Sequence, residues 1–97
     1  DRKNLGSNGY LEITILITPK GNIHNRPLIT FRGLPIYEKE EFQNGLEDEI
    51  DKTVKSFSLN NKKQEANLVD ALKSTCRKFT KLKTGKRPLA NINLVRI

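Results

Sequence analysis

The sequence is poor in the side chains from which metal centres and nucleophilic sites are built. It contains one histidine, His24, and one cysteine, Cys76, among 97 residues. A zinc site needs three or four His, Cys or carboxylate ligands, so the sequence predicts no metal and no other cofactor in this chain. His24 follows a turn and is expected at the surface, whereas Cys76 has no histidine near it in sequence and is expected in the core. The sequence therefore predicts no catalytic residue.

Long apolar runs are lacking as well. No stretch approaches the roughly 18 apolar residues of a membrane span, and the first residues, Asp1-Arg2-Lys3-Asn4, form no signal-peptide core. One cysteine forms no intramolecular disulfide, so an oxidising compartment is not indicated and the cytoplasm is the expected location. Without an initiator methionine, the chain is expected to be part of a longer protein. Its length suits a single domain at residues 1–97, with a linker-like segment at residues 1–8.

Acidic residues are missing from the last part of the chain. Residues 1–70 hold 10 basic and 11 acidic residues, whereas residues 71–97 hold 8 basic residues and no acidic one. This asymmetry favours a polyanionic partner, of which RNA is the commonest in the cytoplasm. A solvated basic helix face is an equally good interpretation of the charge alone.

Two strands and a tight turn are predicted in the first third. Residues 10–18 alternate apolar and polar side chains, and Pro19-Lys20-Gly21-Asn22 has the residues of a hairpin turn. A second strand is predicted from Ile23 to about Arg32. Pro27 lies within it and donates no hydrogen bond, so this strand is expected at the edge of a sheet.

Two helices and a last strand follow. Asn44 and Glu47 form a capping-box pattern, which predicts a first helix at about residues 45–57; a start near Lys39 would place Gly45 inside it at a cost of about 1 kcal/mol. Asn61 is predicted to cap the second helix, and Gly85 to end it. The apolar positions of the second helix are Leu68, Leu72, Cys76 and Phe79. The last strand is predicted at residues 89–97.

These elements predict an α+β fold with the order ββααβ. Two helices that fold back on each other cover one face of a three-stranded mixed sheet. The most apolar strand is expected at the centre, which gives the strand order 2-1-3. The predicted core face carries Leu11, Ile13, Ile15, Ile17, Ile29, Phe31, Ile92 and Leu94.

Basic residues form a stripe on the exposed side of the second helix. The candidate RNA-binding residues are Lys73, Arg77, Lys78, Lys81, Lys86 and Arg87. No aromatic side chain is interleaved with them, so any contact with RNA is expected to involve phosphates and to be independent of sequence. Residues 84–87 do not form a phosphate-binding P-loop, because Thr80 stands where that motif needs glycine.

Three segments carry a likeness to a known family. They are Arg2-Lys3-Asn4-Leu5 before the first strand, Gly33-Leu34-Pro35 after the second, and Lys83-Thr84-Gly85-Lys86-Arg87-Pro88 before the last. In order and spacing they resemble the C-terminal domain of bacterial ribonuclease J, and the Gly-Leu-Pro form is most similar to alphaproteobacterial members. The likeness covers nearly the whole chain. Asn91 and Asn93 depart from it, since the family usually has apolar residues there.

The resemblance implies an accessory domain without a catalytic site. In the family, this module follows a metallo-β-lactamase domain with an inserted β-CASP domain. Two metal ions, usually zinc, are bound there by a His-x-His-x-Asp-His motif, and RNA is cut by 5′-to-3′ exonuclease and endonuclease action. That motif is absent from this chain, so zinc is implied only for the parent enzyme. The implied role is to support dimerisation and activity in RNA processing and decay.

The sheet face away from the helices is the candidate interface. It is expected to carry four large apolar side chains, Leu16, Leu28, Val95 and Ile97. Such a patch marks an association surface, and a twofold dimer needs only one self-complementary patch. Together with the resemblance, this favours a homodimer over docking onto the catalytic domains of the parent chain.

A second hypothesis comes from a different class of function. The chain could be an independent basic α+β protein that binds RNA or the ribosome. The two hypotheses differ in the parent reading frame, because only the ribonuclease requires several hundred preceding residues with the metal motif.

Overall fold

The helices and strands follow the predicted order. The computed structural model describes residues 9–57 and 62–97 of the chain. The elements are strand β1 (Tyr10–Ile17), strand β2 (Ile23–Arg32), helix α1 (Lys39–Lys55), helix α2 (Lys62–Thr84) and strand β3 (Leu89–Arg96). The order ββααβ confirms the predicted α+β fold. The linker-like segment predicted at residues 1–8 and the predicted cap Asn61 lie outside the described residues.

The most apolar strand lies at the centre of the sheet, as predicted. β1 pairs antiparallel with β2 and parallel with β3, which gives the order β2-β1-β3. Its inward side chains, Leu11, Ile13, Ile15 and Ile17, are at most 1% exposed. Burying each of them stabilises the fold by about 1.5–3 kcal/mol relative to leaving it in water. The other predicted core residues, Ile29, Phe31, Ile92 and Leu94, also pack into this cluster.

The turn between β1 and β2 forms at the predicted residues. Gly21 has a φ of 84°, a backbone conformation that is easy for glycine. Its N–H donates to the Thr18 carbonyl at 2.8 Å, and the Thr18 N–H donates to the Asn22 carbonyl at 2.8 Å. These bonds close the turn and set β2 beside β1.

Strand β2 is an edge strand with a bulge at the proline. Thr14 pairs with Leu28 and Leu16 pairs with His24, so three residues of β2 stand opposite Ile15 alone. Pro27 lies in this irregular part, where its missing N–H interrupts no regular ladder. The predicted edge position is therefore confirmed.

Helix α1 begins six residues before its predicted start, and the predicted capping box is wrong. The helix runs from Lys39 to Lys55, with Asn44 and Gly45 inside it. The Asn44 side chain accepts a hydrogen bond from Arg26 at 3.0 Å, and Glu47 accepts two from the same guanidinium at 3.0 and 3.1 Å. Both side chains therefore bind β2 rather than the helix N-terminus.

Packing explains the earlier start of α1. Its first turns bring Phe42 into the core, where its ring lies 5.6 Å from that of Phe31 and 5.5 Å from that of Phe79. Burial of a phenylalanine stabilises by about 1.5–3 kcal/mol, which exceeds the cost of about 1 kcal/mol for a glycine inside a helix. Long-range packing thus outweighs the local preference at Gly45.

Helix α2 packs antiparallel to α1 and ends as predicted. Leu68, Leu72 and Cys76 are buried, Phe79 is partly buried, and Thr80 is a buried residue that the apolar pattern did not include. The helix ends at Thr84. Gly85 then has a φ of 78°, and its N–H donates to the Lys81 carbonyl at 2.8 Å. This left-handed residue turns the chain towards β3.

Strand β3 pairs with β1 along its whole length despite its two asparagines. Ile92 is buried beside Ile13, whereas Asn91 and Asn93 lie on the other face. Within the described residues, neither helix is long and apolar enough to cross a membrane.

Candidate interaction surfaces

The side chains capable of metal or nucleophilic chemistry lie apart from one another. His24 is exposed on β2, and Cys76 is buried in α2. Burial raises the pKa of the Cys76 thiol to about 12, which keeps it protonated at neutral pH. Within residues 9–57 and 62–97, no three His, Cys, Asp or Glu side chains come together as metal ligands would. The donor set of the described residues therefore does not fit a zinc ion.

Neither of the two described helices packs on one face of the sheet, which we call the open face. The β1 residues on this face are Tyr10, Glu12, Thr14 and Leu16, whose side chains are half-buried. Their neighbours on β3 are Leu89, Asn91, Asn93 and Val95, and on β2 they are Arg32, Thr30, Leu28 and His24. Each strand therefore contributes alternate residues to this face.

The four predicted apolar residues meet at one end of the open face and form what we call the apolar corner. Leu16 lies directly beside Val95, and the Ile97 N–H donates to the Ile17 carbonyl at 3.0 Å, which places Ile97 next to them. Leu28 lies on the neighbouring strand β2, diagonal to Leu16, and is 68% exposed. Val95 and Ile97 are exposed as well. An exposed apolar cluster of this kind is typical of an association surface.

A hydrogen-bonded polar row crosses the middle of the open face. Glu12 accepts hydrogen bonds from the Tyr10 hydroxyl at 3.0 Å and from the Asn93 amide at 3.4 Å, and the same amide lies 3.4 Å from the Thr14 hydroxyl. The bond to Glu12, with desolvation and the negative charge of Glu12, raises the pKa of Tyr10. Asn93 of β3 is thus paired with side chains of β1 across the strands.

The predicted basic stripe forms one side of a groove on the helix layer, the cationic groove. Its volume is about 360 Å³. It is lined by Lys73, Arg77, Lys78, Lys81 and Arg87, together with Asp70 and Ser74. None of the five cations forms an ion pair with a carboxylate in the described part of the chain. Five of the six candidate RNA-binding residues therefore share one site.

Helical spacing and the turn at Gly85 assemble this groove. Lys73, Arg77 and Lys81 are four residues apart, so they lie on one side of α2 at steps of about 6 Å. After Gly85 reverses the chain, Arg87 returns beside the helix. The sixth candidate, Lys86, is half-buried and does not line the groove; its backbone N–H donates to the Thr84 hydroxyl at 3.1 Å.

The remaining basic residues of the C-terminal part have other contacts. Lys83 lies over the Phe79 ring, with its Nζ 5.5 Å from the ring centroid. Arg96 pairs with Glu65 at 3.1 Å and connects β3 to α2. The net positive charge of residues 71–97 is therefore divided between a groove and structural contacts.

A second pocket was not predicted from the sequence. It has a volume of about 550 Å³ and lies where the segment after β2 meets the start of α1 and the end of α2. Phe42, Phe79 and Gly45 form its apolar part, and Tyr37 stands at its rim almost fully exposed. Its formation depends on the early start of α1, which the sequence pattern did not indicate.

A comparison with known protein families found a match for this chain. The family model of the ribonuclease J C-terminal domain matches residues 1–97, the whole chain. No curated protein matches it. The closer similarity to alphaproteobacterial members stays a prediction.

Proposed function

Because the chain belongs to the family of ribonuclease J C-terminal domains, we propose that it holds two copies of its parent ribonuclease together through the open face of the sheet. It contributes no catalytic group of its own. The hydrolysis of RNA is assigned to the metallo-β-lactamase and β-CASP domains of the parent enzyme, with zinc bound there and with 5′-to-3′ exonuclease and endonuclease action in the cytoplasm. The family match gives no support to an independent RNA- or ribosome-binding protein.

The observation that carries this proposal is the apolar corner. A helix layer already covers the other face of the sheet, so Leu28, Val95 and Ile97 are exposed only because nothing in the described part of the chain covers them. The hydrogen-bonding row beside them offers both donors and acceptors, so a second copy turned by 180° presents matching groups. One surface thus supplies both halves of a twofold contact.

The size of the face indicates how strong the contact is. The eight residues of the central strand and the width of three strands give a face of about 26 Å by about 14 Å, or roughly 360 Å² in projection. A stable specific pair buries about 800 Å² on each partner. We therefore expect this chain alone to dimerise weakly, with the catalytic domains of the two enzyme copies supplying the remaining contact.

The alternative occupant is the catalytic part of the same parent chain. If the apolar corner docked onto the catalytic part, the interface would join two different surfaces, and the catalytic part would need groups complementary to the corner. The self-complementary polar row favours a second copy instead.

The test is the mass of the ribonuclease that carries this domain, measured by sedimentation equilibrium. Leu16→Lys and Leu28→Lys each place a charge in the apolar corner and should shift the enzyme from dimer towards monomer. Leu82→Lys is the matched control, because Leu82 is 85% exposed on α2, away from the sheet. An unchanged dimer in both corner variants, with circular dichroism like that of the original, would show that this face is not the interface.

A further inference from the structure

We propose that the cationic groove on α2 binds the phosphate backbone of RNA without reading its sequence. This role goes beyond dimerisation and does not depend on it. The groove lies on the helix layer, whereas the open face lies on the other side of the sheet.

The charge of the groove fits a chain of phosphates. Its lining has five basic side chains and a single carboxylate, Asp70. From Lys73 to Lys81 the cations extend over about 12 Å along the helix, in steps of one turn. A row of evenly placed cations matches a ligand whose charge repeats, whereas a single small anion is held by a compact cluster.

The composition of the lining favours RNA over other acidic partners. Every residue that lines the groove is polar or charged. Protein interfaces draw most of their affinity from buried aromatic and apolar anchors, and membrane-surface helices insert an apolar face into the lipid. The apolar face of α2 is packed on the sheet instead, with Leu68, Leu72 and Cys76 fully buried. A ligand that binds through its charges alone is therefore favoured.

The groove has no aromatic side chain on which bases could stack. Phe79 is the aromatic residue of α2, and it faces α1 beside Gly45. Lysine and arginine side chains then contact phosphate oxygens, which are the same in every sequence. Affinity should thus depend on salt and hardly at all on the order of the bases.

The experiment measures binding of this chain to short single-stranded RNAs by fluorescence anisotropy at several salt concentrations. Five cations less Asp70 give about four phosphate contacts, so affinity should fall roughly 50-fold between 50 and 200 mM salt. The Lys73→Gln/Arg77→Gln variant keeps two contacts, and its affinity should fall only about 7-fold over the same range. Glutamine has a helix propensity close to that of lysine and arginine, so α2 should stay intact.

The matched control removes the same charge elsewhere. Lys20→Gln/Lys39→Gln changes two exposed lysines that do not line the groove, and it should keep the original salt dependence. An equal loss in the control, unchanged binding in the groove variant, or a strong preference for one RNA sequence would each overturn the proposal. Equally strong binding to phosphatidylglycerol vesicles at the same phosphate concentration would also overturn it, in favour of a lipid surface.

The outcome is independent of the dimer. Leu28→Gln alters only the open face, adds no charge, and should leave the salt dependence of RNA binding unchanged. If this substitution makes the parent ribonuclease monomeric while this chain still binds RNA normally, both proposals hold. Likewise, a groove variant with the weaker salt dependence that leaves the parent ribonuclease dimeric shows that RNA binding and dimerisation use different surfaces.

Discussion

Gly45 offers a sharp test of how the two helices meet. A methyl group added at this position would lie 2.7 Å from the Cζ atom of Phe79. Ordinary contacts between carbon atoms are about 3.5–4.0 Å, so Gly45→Ala must push the ring by about 1 Å. The ring also packs on Phe42, with the two centroids 5.5 Å apart, so a shift of the ring disturbs that contact as well.

The sign of the effect follows from two opposing terms. Alanine favours the helix over glycine by about 1 kcal/mol, whereas overpacking of this kind costs about 1–3 kcal/mol. We expect a net loss of about 1 kcal/mol in the free energy of unfolding, measured by urea denaturation followed by circular dichroism.

A double-mutant cycle isolates the contact. In a Phe79→Leu background the ring is gone, so Gly45→Ala should now raise the free energy of unfolding by up to about 1 kcal/mol. The coupling between the two sites would then be about 2 kcal/mol. Stabilisation of about 1 kcal/mol in both backgrounds would refute the close approach of α1 and α2 at Gly45.

Three further predictions concern single groups. Thr80 is fully buried and its hydroxyl has no hydrogen-bond partner in the described part of the chain, so Thr80→Val should raise the free energy of unfolding by about 1 kcal/mol; a loss of that size would show that the hydroxyl is bonded. The thiol of Cys76, with a pKa of about 12, should react with Ellman's reagent at pH 8 only after unfolding, and rapid reaction in the native state would contradict its burial. Because Glu12 accepts from Tyr10, Glu12→Gln should lower the pKa of Tyr10 towards its ordinary value in ultraviolet titration of a Tyr37→Phe background. The charged hydrogen bond is present at neutral pH and is lost as the pH rises through the raised pKa, so an unchanged titration would exclude it.

The strands could be predicted because their signals are local. Alternation along residues 10–18, the turn residues around Gly21 and the proline in the second strand each act within a few positions. The core face of the last strand was also predicted correctly, since Ile92 is buried as expected although two asparagines weaken the alternating pattern.

The start of α1 could not be predicted because distant residues decide it. Asn44, Gly45 and Glu47 have the local pattern of a helix start, yet Arg26 and Phe79 bind them from other elements. The pocket lined by Phe42 and Phe79 depends on the same packing.

The cationic groove could be predicted only in part. The spacing of Lys73, Arg77 and Lys81 on one helix predicts their common side, and Gly85 correctly predicts where that helix ends. Which of the two following basic residues would line the groove depended on the path of the backbone after the turn, and only Arg87 does.

The most direct test of the proposed assembly is cross-linking between two copies through the middle of the open face. Thr14→Cys places a thiol on the central strand, and a short bismaleimide should join two chains at high protein concentration even where the contact is weak. Cys76 should not react, because it is buried with its pKa raised to about 12. Leu82→Cys on the helix layer serves as the control. Covalent dimers from Thr14→Cys and few from Leu82→Cys are the predicted result; equal yields from the two positions, or none from Thr14→Cys, would contradict a dimer formed through the open face.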